Sequence, residues 1–130
     1  MSAGWSGSLT DYDPLMYDLA DWMYEPQIVN GEDLTQGGAG WSVVDTTGIQ
    51  SSTANDTLTY VGTCCAFGTL SNNGVGAGTY AYSIDGGAET QLVLSNLAAV
   101  NQVANFERGE HTIVIRVVSG LVKISELWAI

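Results

Sequence analysis

Apolar and polar side chains alternate with a period of two through most of this 130-residue chain after its first forty residues. In His111-Thr112-Ile113-Val114-Ile115-Arg116-Val117-Val118, residues Ile113, Ile115 and Val117 share one face. Thr112, Val114, Arg116 and Val118 share the other, the pattern of a strand with one buried side. Residues 57–61 alternate in the same way. Segments 41–46, 64–70, 80–84, 90–94, 103–106 and 121–130 complete a set of about eight predicted strands. Asp85-Gly86-Gly87 is a hairpin signal, because the turn needs residues that tolerate positive φ. Glu107-Arg108-Gly109-Glu110 is predicted as a second turn, and the run from Ser71 to Gly78 as a loop. The pattern predicts an all-β fold, an antiparallel jelly roll or β-sandwich, over residues 40–130.

Ahead of Gly37-Gly38-Ala39-Gly40 the pattern changes. Asp13-Pro14 is a helix start, with an N-cap acid followed by proline in the first turn. Leu15, Leu19 and Trp22 then recur at helical spacing, with Met16 and Met23 beside them, until Pro26 stops the run. Residues 1–39 are therefore expected to form an arm with one short helix at 14–25. So short a helix is marginal alone and must pack on something, either the end of its own sandwich or another subunit. Trp5, Tyr12, Leu15, Met16, Leu19, Trp22, Met23 and Tyr24 are the candidate docking residues, since aromatic anchors dominate protein–protein binding energy.

Charge narrows the partners. Fourteen acids against three bases give a net charge of −11, a surface that repels phosphate backbones and anionic membranes, so nucleic acid is not an expected partner. Residues 1–40 hold seven of the acids and no base, which makes docking onto the acidic body less comfortable. No apolar run approaches the roughly twenty residues of a membrane span. The start, Met-Ser-Ala-Gly-Trp-Ser-Gly-Ser, lacks the basic and apolar stretches of a secretory signal, which leaves either a mature fragment of something exported or a protein made and assembled inside the cell, the second favoured by Met1. Cys64 and Cys65 are adjacent and alternate across a strand, so they read as two small core-type side chains, with a vicinal redox pair or metal clip as the other reading.

Three runs carry a resemblance. They are Thr79-Tyr80-Ala81-Tyr82-Ser83-Ile84-Asp85-Gly86-Gly87, Glu107-Arg108-Gly109-Glu110-His111-Thr112-Ile113-Val114-Ile115, and Val122-Lys123-Ile124-Ser125-Glu126-Leu127-Trp128. Together with Phe67-Gly68-Thr69 they are similar to galactose-binding-like jelly rolls. In particular they resemble the accessory modules of SGNH-type carbohydrate esterases, and phage structural jelly rolls. The resemblance covers residues 41–130. It implies fold more than function, because its motifs are turns and core positions.

Chemistry is sparse. His111 is the sole histidine, no Gly-x-Ser-x-Gly elbow occurs, and one histidine with two adjacent cysteines cannot cage zinc. No catalytic residue, metal or cofactor is expected. Tyr80 and Tyr82 share a strand face and are either core residues or a stacking platform for a glycan. Two readings of function follow. The first is a virion component of a tailed phage, a capsid cement or decoration protein or a tail-associated one. It would dock on other protein subunits through its arm, as a homo-oligomer such as a trimer. The alternative is an extracellular carbohydrate-binding module that recognises a surface glycan.

Overall fold

Two very long strands organise the protein in the computed structural model, which describes residues 26–71, 78–94 and 99–130. The strands are β1 (Gln27–Asn30), β2 (Thr35–Gly37), β3 (Ser42–Val44), β4 (Gly48–Ser51), β5 (Thr57–Ser71), β6 (Thr79–Ile84), β7 (Thr90–Val93), β8 (Ala99–Ser119), β9 (Val122–Ile124) and β10 (Glu126–Ala129). One sheet runs β1-β10-β5-β8-β6-β7, with β2 also on β5; the other runs β3-β4-β9. Every pairing among them is antiparallel. Ile49 and Ile124 from the small sheet share one buried cluster with Leu58, Phe67, Tyr80, Ile113, Ile115, Val117 and Leu127 from the large one. That shared cluster is the core of a β-sandwich. The faces of β8 follow the sequence: Ile113, Ile115 and Val117 are buried, whereas Thr112, Val114, Arg116 and Val118 are not.

Two expectations are corrected. Glu107–Glu110 is not a turn, because β8 runs straight through it. Cys64 pairs with Gly109 and Ala66 with Asn105, so three residues of β8 stand opposite Cys65 alone. The polar, glycine-containing run is a bulge that disrupts the ladder and turns the strand without reversing it. Residues 27–37, assigned to the arm, belong to the sandwich. β1 pairs with β10 from Gln27↔Ala129 to Asn30↔Glu126, β2 pairs with β5, and Leu34 is buried in the core. The composition break at Gly37–Gly40 marks a turn rather than a boundary, with Gly38 at φ +93°. A Cβ at Gly38 would lie 2.0 Å from Asp56 Oδ1. The helix expected at 14–25 and all eight docking candidates lie outside the described residues.

Asp56 fastens that turn. It is buried, and its Oδ2 accepts from the Gly40 amide at 2.9 Å and the Ser51 hydroxyl at 2.8 Å. Asp56→Ala removes both bonds and leaves the two donors without their acceptor. Chemical denaturation is expected to show a loss of about 2–3 kcal/mol. A change within a few tenths would show that the loop holds without this carboxyl.

Candidate ligand-binding site

Strand alternation sorts the aromatic rings. Tyr80 points inward; it is 0% exposed, and its hydroxyl shares a 2.9 Å hydrogen bond with Thr69. Burial pushes its ionisation well above the ordinary phenol range. Tyr82, also inward, packs edge-on against Phe67 with ring centres 5.4 Å apart. Tyr80 therefore cannot stack on a sugar, and Tyr82 is committed to a core contact. The shared face of the two tyrosines is the core face. Tyr60 is buried and donates to Gln27 Oε1, while the Trp41 indole N–H donates to the Gly37 carbonyl and its ring packs on the core.

Trp128 differs. Leu127 and Ala129 are buried beneath β10, so Glu126 and Trp128 face outward. On one flank Trp128 is opposite Ile28, which is 49% exposed; on the other it is opposite Gly68, which has no side chain. Its indole N–H donates to Glu126 Oε1 at 2.8 Å, fixing the ring against a carboxylate. Glu126 is in turn opposite Asn30 and Leu70. Asn30 precedes the 3₁₀ turn Gly31–Asp33 without using its side chain to cap it. A half-buried indole, an apolar neighbour, an amide and a carboxylate thus lie on adjoining strands. An apolar ring face with polar groups beside it suits the two-sided chemistry of a sugar. The sequence predicts a strand at 121–130 without assigning its faces. The signal for its outward tryptophan is the parity of Trp128 against Leu127 and Ala129, while the glycine opposite it at Gly68 is set by register alone.

His111 serves the fold. Its Nδ1 lies 2.6 Å from Asp85 Oδ2 and its Nε2 2.6 Å from the Glu107 carbonyl, and Phe106 packs edge-on against the ring. Asp85 has φ +55° in the turn after β6, and its Oδ1 accepts from the Thr112 amide at 2.8 Å. The imidazole therefore ties the Asp85 turn to the β8 bulge. With an acceptor at each nitrogen the cationic form is favoured, and hydrogen bonding, first to Asp85 and then to Glu107, raises the His111 pKa. The Thr112 amide and then His111 lower that of Asp85. Such a histidine has no free lone pair with which to act as a base. The Cys64 thiol is buried, donates to the Gly62 carbonyl, and is pushed up in pKa by burial and by Cys65, so it is no nucleophile.

The pH dependence follows. The His111 contribution is complete below the ordinary histidine value of about 6.5 and is lost as pH rises through the raised folded value. The Asp85 contribution is present above about 3.9 and is lost as pH falls through the lowered folded value. Thermal unfolding should therefore show a midpoint that declines from pH 6 to pH 9, with the decline abolished in His111→Gln. An identical decline in that variant would locate the titration elsewhere.

Known structures place this geometry in context. No family model matches the sequence, and no curated protein matches it closely. The CBM36-1 domain of a multidomain xylanase, from the hindgut metagenome of Trinervitermes trinervoides, aligns with a TM-score of 0.63 and 22% identity over 80% of this chain and 95% of its own. The chain has the galactose-binding-like jelly-roll fold. A CBM36 carbohydrate-binding module in complex with calcium and xylotriose shares this jelly roll at TM-score 0.61 and 13% identity, over 79% of this chain and 99% of that one. A family two carbohydrate esterase from Cellvibrio japonicus shares it at TM-score 0.66 and 18% identity, over 81% of this chain. The match spans only 33% of the esterase, a part of that enzyme rather than the whole. Among the described residues, no three acidic, histidine or cysteine side chains cluster. No helix among them is long and apolar enough to cross a membrane.

Proposed function

We propose that this protein is a non-catalytic carbohydrate-binding module, acting outside the cell on a surface glycan, with the outward face of β1, β10 and β5 as its ligand platform. The observation that carries the reading is Trp128. It is a half-buried indole on an outward strand face, hydrogen-bonded to Glu126, with an exposed isoleucine opposite it on one strand and the buried Gly68, which adds no side chain, opposite it on the other. The fold supports it: the chain aligns with nearly all of two CBM36 structures but with a third of an esterase. The phage-virion reading gains nothing from these neighbours, and the eight docking residues on which it rests lie outside the described residues. Binding through the platform needs no arm contact.

The test is co-sedimentation of the full chain with insoluble xylan, mannan, β-glucan and chitosan, each paired with soluble competitor. Saturable retention on at least one polymer, released by its own oligosaccharide, is expected. Folded protein that stays in the supernatant with all four would overturn the proposal.

A further inference from the structure

The carboxylate of Glu126 gives the ligand platform an acidic group, and bases are scarce in the chain. The sequence contains only three bases. Arg116 is held in the other half of the large sheet, by Glu89 at 2.8 and 2.9 Å and by Asn55 at 2.9 Å. Lys123 reaches across to Asp45 from β9. Arg108 sits in the β8 bulge opposite Cys65, three positions along β5 from Gly68 and with β5 between it and Trp128. Beside Trp128 stands Glu126, whose Oε1 accepts the indole N–H. The whole molecule carries −11.

Each of these features acts on a positive charge in the same direction. An indole face attracts a cation through its quadrupole. A carboxylate at its edge supplies the counter-charge and a charge-assisted acceptor. The surrounding field concentrates cations and repels uronate or sulfate groups. Neutral sugars use only the stacking and hydrogen-bonding part of this arrangement.

We infer that the Trp128–Glu126 pair selects glycans with free amino groups, with the sugar ammonium held between the indole face and the Glu126 carboxylate. This rests on the glycan-binding reading above and adds the class of sugar. Partly or fully deacetylated amino polysaccharides are then the preferred ligands, ahead of their N-acetylated forms and of neutral chains of equal length.

Calorimetric titration of the full chain with hexamers of glucosamine, N-acetylglucosamine and xylose, at a pH where the amine is protonated, tests the assignment. The glucosamine hexamer is expected to bind about tenfold more tightly than the acetylated one, with the margin narrowing as salt rises. Glu126→Gln keeps an acceptor for the indole and removes the charge. It should reduce the preference to twofold or less, the readout being the ratio of the two affinities rather than either one alone. Glu110→Gln changes the net charge equally at a distant exposed site and should retain the preference. Equal affinities for amino and acetylated hexamers would overturn the inference and leave glycan binding standing. So would a preference that survives in Glu126→Gln, which would assign it to bulk charge. Failure of all three hexamers to bind would overturn this inference, and the glycan reading falls with it only if none of the four polymers retains the protein.

Discussion

Tyr80→Ala should destabilise the protein by about 3–5 kcal/mol, the range for truncating a large buried aromatic. Tyr80 is the largest fully buried side chain in the core, between sheets that also contribute Phe67, Ile115 and Leu127. Whole domains of this size are stable by only about 5–15 kcal/mol, so the variant should be mostly unfolded at moderate denaturant concentrations. Tyr80→Phe separates the two roles of the ring. It retains the volume but strips the Thr69 hydroxyl of its buried partner, and should cost about 1–2 kcal/mol. If Tyr80→Ala instead unfolded near the wild-type midpoint but lost sugar binding, the ring would belong to a surface site and the inward parity of β6 would be wrong.

Trp128→Ala should have the opposite signature. Its indole lies on the outward face, so far-ultraviolet circular dichroism should keep the β-sheet signal. Affinity for the bound oligosaccharide should fall by roughly thirtyfold or more, matching the loss of about 2 kcal/mol expected for a central aromatic anchor. Trp128→Phe keeps a stacking face but loses the N–H that holds Glu126, so an intermediate loss is expected. Unchanged affinity in both variants would remove Trp128 from the site.

How far the sequence could be read depended on where each contact lies along the chain. The buried and open faces of β8 are visible in residues 112–118 because alternation is local. The Asp85-Gly86 reversal is equally local, with φ of +55° and +75° at its two central residues. Long-range register was not visible. Nothing near Gln27 announces that it pairs with Ala129, about a hundred residues away, so β1 and β2 were counted with the arm. Glu107-Arg108-Gly109-Glu110 has the composition of a turn. It becomes a bulge because β5 continues past Cys65 and keeps a partner on either side of it. The platform was missed for the same reason. Trp128 is a visible tryptophan, but its exposed neighbour at Ile28 and its glycine neighbour at Gly68 come from two different pairings. Tyr80 and Tyr82, whose common face was legible, turned out to face the core.

The most direct test is an amide chemical-shift titration of the full-length protein with its tightest-binding oligosaccharide. The account predicts that perturbations gather on residues 27–30, 67–70 and 126–129, together with the Trp128 indole N–H. It would be contradicted by saturable binding whose perturbations cluster at the Asp85 turn, or around Gly38 and Asp56, with the Trp128 indole signal unmoved.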